Sequence, residues 1–163
     1  MASSAPITAD IARQLFHYDP TTGHIHRLLK TGQISARRAD AQQRNGYGYV
    51  EFKGRCLSAH RLAWLLFHGV WPTGMLDHIN RNKRDNRAIN LRIVTAAQNA
   101  QNTAERKDNV SGRRGVCWHK RTKTWQVRIR AEGKFMFVGQ YACFDDAVKA
   151  RDAAEKAYHP FLA

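Results

Sequence analysis

Asp77, His78, Asn90 and Asn99 follow one another as carboxylate, imidazole, amide and amide, in a stretch that also holds Asn80, Asn82, Asn86 and Asn102. Hydrolysing a phosphodiester needs a base for the attacking water and a cation that neutralises the phosphate and the leaving oxygen. His78 has the pKa range of such a base, and Asp77 and the amide oxygen of Asn99 are hard ligands suited to magnesium, with manganese as substitute. Asn90 ends a long polar loop, where its amide can bond across the loop backbone and hold His78 in orientation, a positioning role. Asn102 lies three residues beyond Asn99 on the same helical face and is an alternative ligand, with Gln98 a weaker one. Any one of these asparagines would ordinarily be read as a local turn former. Four positions in this order favour chemistry.

The elements that must carry these residues are legible around them. Met75 to Ile79 and Leu91 to Val94 are short apolar strands flanking the polar loop 80–90, and Thr95 caps a helix running to Asn102. Strand, loop, strand, helix is a compact ββα unit. Neighbours on a regular strand point to opposite faces, so Asp77 and His78 share a site only if the backbone leaves the regular pleat there.

Upstream, Thr8 caps a helix over 9–17, and Asp19-Pro20 and Thr22-Gly23 supply turns before a strand over 24–29. Residues 30–46, with Arg37, Arg38 and Arg44, carry no clear period and read as loop or linker. Tyr47 to Leu57 alternates like a hairpin turning at Lys53-Gly54. Ser58 then starts a core helix over 59–68 that Gly69 ends, with His60 more readily a satisfied capping or core histidine than a phosphate contact.

Asp77-His78-Ile79-Asn80, Arg84-Asp85-Asn86-Arg87, Asn90-Leu91-Arg92 and Asn99 resemble the HNH homing endonucleases of phages and introns, over roughly residues 45–102. The phrase Tyr18-Asp19-Pro20-x-x-Gly23 and the segment His60-Arg61-Leu62-Ala63-Trp64 are similar to what precedes the nuclease motif in such proteins. The resemblance implies that His78 activates water, that Asp77 and Asn99 bind the metal, that Asn90 braces the loop, and that the backbone leaves the regular pleat at Asp77-His78. It also implies duplex DNA as substrate, products with a 5′-phosphate and a 3′-hydroxyl, and mobility of the protein's own gene as its biological role.

Residues 103–111 are polar and form the linker, with a module boundary near 108. Beyond it, Ser111 to Trp118, Thr124 to Arg130 and Lys134 to Gly139 read as three strands, with turns at Thr122-Lys123 and Glu132-Gly133 and a helix over 146–158. Trp125, Val127 and Ile129 alternate with Gln126, Arg128 and Arg130, which gives one packed and one basic face. Ala147, Val148, Ala150, Ala154 and Ala157 form the helix side that meets the sheet. Ser111-Gly112-Arg113-Arg114-Gly115-Val116-x-Trp118, Lys123-x-Trp125-x-Val127-Arg128-Ile129-Arg130 and Phe144-Asp145-Asp146-Ala147 resemble the AP2 DNA-binding domain over 109–160. That resemblance implies a sheet in the major groove, with Arg114 and Arg130 at bases or phosphates, Trp118 and Arg128 as their neighbours and Lys134 on the backbone, and Arg113 is counted with these DNA-binding residues. Cys117, Phe135 and Phe137 depart from the plant pattern, so its sequence specificity does not carry over.

The expected architecture is therefore α+β in three segments: 1–45, a helix and strand segment contacting DNA; 46–107, the ββα-metal nuclease; 108–163, a three-stranded antiparallel sheet plus one helix. A net charge of +14 on 163 residues suits a polyanionic partner. No apolar run approaches the length of a spanning helix, and the first residues lack a secretory pattern, so a cytoplasmic location, in a bacterium or a phage-infected cell, is expected. Cys56, Cys117 and Cys143 have no paired spacing, which argues against disulfides and structural zinc and reads as small buried or half-buried side chains. No protein partner is implied, and a monomer or weak dimer is expected. The rival from another class is a DNA-binding regulator with an inactive HNH unit. RNA binding is permitted by the charge and disfavoured by a groove-entering sheet.

Overall fold

The computed structural model describes residues 7–102, 109–131 and 133–159. Most of the expected linker at 103–111, and Glu132 of the expected turn pair, lie outside the described residues. The chain divides into two compact units, Met1–Ala96 and Ala97–Ala163. The packing boundary thus falls at the start of the helix that follows the ββ hairpin, upstream of residue 108. Four small antiparallel sheets and four α-helices among the described residues make an α+β architecture.

In the first unit, the Thr8 hydroxyl accepts from the Ile11 amide at 3.4 Å and caps α1 (Ala9–Leu15). The helix ends two residues earlier than expected because Phe16 is taken into β1 (Phe16–Asp19), which pairs with β2 (His24–Leu28) from Phe16↔Arg27 to Asp19↔His24. Residues 30–46 are not loop throughout. They contribute β3 (Ile34–Arg38), which pairs with β2, and β4 (Gln42–Arg44), which pairs with β5 (Tyr47–Phe52). These strands expose most of their side chains and so carry almost no apolar alternation to read. β6 (Arg55–Ser58) returns on β5 across Lys53-Gly54, both at positive φ, 48° and 72°, as a two-residue hairpin turn requires.

α2 (Ala59–His68) buries Ala59, Leu62, Ala63, Leu65 and Leu66, and the Gly69 amide closes its end on the Leu65 carbonyl at 2.8 Å. Its apolar side meets Phe16, Ile25 and Val50 in one core. Each of the large side chains there is worth roughly 1.5–3 kcal/mol on burial, so the N-terminal hairpin and α2 depend on one another. β7 (Met75–His78) and β8 (Leu91–Val94) close the unit as a two-stranded ribbon, with one 3-10 turn (Ala88–Asn90) entering β8.

The second unit opens with α3 (Ala96–Gln101), most of which it contains. Its sheet has the order β11-β10-β9, from β9 (Val116–His119), β10 (Thr124–Ala131) and β11 (Lys134–Tyr141). β9 starts five residues later than the sequence implies. The Ser111 hydroxyl bonds Asn109 Oδ1 at 2.9 Å and the Arg113 carbonyl at 3.0 Å, and these local bonds hold 109–115 in turns. α4 (Phe144–Tyr158) lays Ala147 against Val116 and Val127, and Phe144 meets Trp125 edge-on at 4.7 Å. Ala157, expected on the packed side, is exposed near the helix end.

Cys56, Cys117 and Cys143 are all exposed, which corrects their reading as buried hydrophobes. Cys56 and Cys117 sit at outward positions of β6 and β9, and Cys143 occupies the N-cap position of α4.

Candidate active site

β7 and β8 pair without a shift through Asp77↔Arg92 and His78↔Leu91. The backbone therefore does not leave the pleat at the Asp-His pair, which corrects the expectation drawn from the resemblance. It turns immediately afterwards, where the Arg81 amide donates to the His78 carbonyl at 2.9 Å and Arg81 takes a φ of 63°. Adjacent strand positions accordingly find different partners. Asp77, 8% exposed, receives Arg92 Nε at 3.1 Å and Nη2 at 3.0 Å on one carboxylate oxygen. His78, 3% exposed, sets Nε2 against Asn86 Oδ1 at 3.1 Å.

That bond assigns the imidazole. An amide oxygen accepts, so Nε2 carries the proton and Nδ1 carries the lone pair. Burial pushes the His78 pKa down, against upward pulls from the Asn86 bond and the Asp77 charge. A neutral ring with a fixed tautomer is the form that can take a proton from water.

The loop between the strands is built from its own amides. Asn80 Oδ1 accepts the Asn82 amide at 2.9 Å and Asn82 Oδ1 accepts the Arg84 amide at 3.0 Å. Asp85 holds Arg87 through Nε at 2.7 Å and Nη2 at 2.6 Å, and those bonds, the largest influence on it, bring its pKa down to about 2. Asn90 ties the two ends together. Its Oδ1 accepts the Asn80 amide at 3.0 Å, while its Nδ2 donates to Asn80 Oδ1 at 3.0 Å and to the Asp85 carbonyl at 2.7 Å.

Asn86 is the contributor that sequence reasoning passed over. It is 1% exposed, and its carbonyl accepts the Tyr18 hydroxyl at 2.8 Å while its side chain holds His78. Burial drives the Tyr18 pKa up to about 12, so the phenol remains a donor. Gly23, at φ 75°, lies so close to the loop that a Cβ would stand 2.5 Å from the Arg87 amide nitrogen and 2.7 Å from the Asn86 carbonyl carbon. The signal was present in the phrase Tyr18-Asp19-Pro20-x-x-Gly23, whose role only the 68-residue separation from Asn86 concealed.

Tyr47, His60 and His78 form a ring cluster, with centroids 5.3 Å (Tyr47–His60), 5.5 Å (His60–His78) and 6.0 Å (Tyr47–His78) apart. Lys83 Nζ lies 4.6 Å over Tyr47. His60 is not the satisfied histidine expected at a helix start. Its Nδ1 is buried without a hydrogen-bond partner among the described residues, and burial, then the charges of His78 and Arg61, push its pKa down to about 4.

In the second unit, Asn99 is half-buried on α3 and Asn102 is buried just past its end. Arg114 Nη1 donates to the carbonyls of Ala100 and Gln101 at 3.1 and 3.3 Å, capping α3. Arg113 Nη2 pairs with Asp152 at 2.5 Å and Glu155 at 2.7 Å, which ties it to α4. Arg128 and Arg130 point outward from β10, Trp118 is half-exposed beside Trp125, and Lys134 is exposed at the start of β11. Among the described residues, no three His, Cys, Asp or Glu side chains gather as a metal cluster. No helix among them is long and apolar enough to cross a membrane.

Residues 58–101 match the HNH endonuclease family. The matched stretch runs from the residue that precedes α2 to the end of α3 and contains the whole β7–loop–β8 site. Protein 3.8 of Escherichia phage T7 is 34% identical over 76 residues, which cover 46% of this chain and 63% of that protein. The chain thus spans less than two thirds of the length of that curated relative. A solved structure described as DNA binding and cleavage by the HNH homing endonuclease I-HmuI is 26% identical, covers 54% of this chain and 51% of its own, and superposes with a TM-score of 0.39.

Proposed function

We propose that this protein is a divalent-metal-dependent endonuclease that hydrolyses phosphodiester bonds in duplex DNA, of the homing or mobile-element type. The observation that carries the reading is the His78–Asn86 bond, inside a segment that matches HNH endonucleases. It leaves a buried, neutral imidazole with its proton on Nε2 and its lone pair on Nδ1, as a base for water needs.

Asp77 fits a hard cation. It is a shielded carboxylate, and a site of one carboxylate and one amide oxygen leaves coordination for water and phosphate. Asn99 is the proposed amide ligand, with Asn102 its alternative. A bound magnesium or manganese ion would supply charge neutralisation at the phosphate. In this scheme His78 takes the proton of the attacking water, Asn86 and Asn90 hold the imidazole and its loop, and the products carry a 5′-phosphate and a 3′-hydroxyl.

The proposed division of labour has three segments: an N-terminal DNA-contacting part, the nuclease, and a C-terminal DNA-binding sheet of AP2 type. In that sheet Arg114, Trp118, Arg128, Arg130 and Lys134 are the contacts with the most accessible geometry. Arg113 can serve only alongside its two carboxylates on α4.

Conversion of supercoiled plasmid tests the reading. Magnesium-dependent nicking or linearisation that EDTA and His78→Ala both abolish is the expected result. One observation favours the alternative of a non-cleaving DNA-binding regulator, namely that Arg92 already neutralises Asp77. Duplex binding without cutting, across several metals, would establish that alternative instead.

A further inference from the structure

The outer face of the C-terminal sheet is unusual in being both cationic and aromatic. Phe135 and Phe137 on β11 are 75% and 59% exposed. In the antiparallel register Phe135 lies opposite Arg130 and Phe137 opposite Arg128, so the four side chains share one face. Ile129 and Ala131 are buried on the other face. The Arg130 guanidinium lies 5.6 Å over the Phe135 ring, and Arg128 Nη2 donates to Gln126 Oε1 at 3.2 Å, which anchors both cations beside the rings.

Two exposed phenyl rings, each opposite a guanidinium-bearing residue, match a ligand that offers flat apolar faces and negative charge together. Nucleotides have that chemistry, and the chain's charge of +14 favours a polyanion. Pairing state decides which nucleotides. In a duplex the base faces are covered by their neighbours, and a groove shows a phenyl ring little beyond thymine methyls. Residues two apart on a strand are separated by about 6.6 Å, whereas successive nucleotides of a duplex strand rise by about 3.4 Å. Consecutive bases can seat on both rings only when the strand is extended and unstacked.

We propose that this face binds an unpaired stretch of DNA, with consecutive bases stacked on Phe135 and Phe137 and the phosphates met by Arg128 and Arg130. The choice of DNA rests on the function proposed above. It deepens that reading by naming a substrate in which unpaired nucleotides accompany the duplex. The groove-entering role expected from the AP2 resemblance gives these two phenylalanines no comparable partner.

Fluorescence anisotropy of the full chain in EDTA, so that nothing is cut, measures the affinities. The probes are labelled oligothymidylate, a duplex of equal length and oligouridylate. The Phe135→Leu/Phe137→Leu variant keeps apolar bulk and removes the rings. Its single-strand-to-duplex affinity ratio is expected to fall by about five- to 150-fold for each stacked base lost, and Phe135→Trp/Phe137→Trp is expected to retain the ratio. If the double leucine variant does not fold, Phe135→Leu alone carries the test at the more exposed site. An unchanged ratio in a folded leucine variant overturns the proposal, and so does tighter binding of oligouridylate than of oligothymidylate. If the leucine variant loses the ratio while the wild type fails to cut plasmid, the stacking face stands and only the nuclease reading is lost.

Discussion

Tyr18 and His78 are joined through a single residue: the Tyr18 hydroxyl bonds the carbonyl of Asn86 at 2.8 Å, and the side chain of the same Asn86 bonds His78 at 3.1 Å. The orientation of the proposed base thus depends on the first hairpin of the chain, 60 positions away in sequence by the difference of the two numbers.

Tyr18→Phe removes the donor and keeps the ring. The buried Asn86 carbonyl then lacks its partner, at a cost of about 1–3 kcal/mol. Plasmid cleavage is expected to slow by about 10- to 100-fold, as for loss of an outer support of a metal site. Urea unfolding gives the first quantity and time courses of nicking the second. Unaltered cleavage in a destabilised variant would show that the loop holds His78 without the hairpin.

Gly23→Ala introduces a methyl group where the Arg87 amide and the Asn86 backbone already stand, at a φ of 75° that alanine disfavours. Backbone cannot swing aside as a long side chain can. A loss of at least about 2 kcal/mol is expected, read as a drop of roughly 8 °C or more in the melting temperature of the first unit.

Acidification is expected to weaken the first unit through His60. Folded, its pKa lies at about 4, pushed down by burial and then by His78 and Arg61; unfolded, it returns to the ordinary 6.5. The unfolded chain therefore binds the proton more readily, so the contribution is intact above 6.5 and is lost as pH falls toward 4. The size is on the order of 2 kcal/mol. Thermal melts across this range should show the loss in wild type and a flatter profile in His60→Phe, and parallel profiles would rule His60 out as the source.

Arg113→Ala breaks two contacts to α4 at once, with Asp152 and with Glu155. The side chain is only 25% exposed, so the pair of bonds is expected to be worth about 1–3 kcal/mol rather than the fraction usual for surface ion pairs. Denaturant melts followed by tryptophan fluorescence in a Trp64→Phe/Trp71→Phe background report the second unit, where Trp118 and Trp125 stand together. A midpoint equal to that of wild type would return Arg113 to the pool of solvated arginines.

Much of this arrangement is legible in the sequence wherever apolar period and turn chemistry coincide. Lys53-Gly54 marks its hairpin, the spacing of Leu62, Leu65 and Leu66 marks α2, and the alternation from Trp125 to Arg130 marks β10. β3 and β4 escape because their side chains are mostly exposed and leave no pattern. At the site, the loop-bridging bonds of Asn90 to Asn80 and Asp85 follow from its place at the end of the loop. Asn86 does not, because it is one amide among many until tertiary packing brings Tyr18 to its carbonyl. The pairing of Arg113 with α4 is hidden for the same reason: 39 and 42 residues separate the partners.

The shared core of Phe16, Ile25, Leu62 and Leu65 bears on whether the HNH-like segment is portable. A graft of residues 58–101 onto another scaffold would carry His78, Asn86 and Asn90, yet it would leave behind the hairpin that closes over α2 and the phenol that seats the loop. The smallest transplantable cassette in this protein therefore begins near Thr8, and the short stretch that matches the HNH model is a label on that cassette, not the cassette itself.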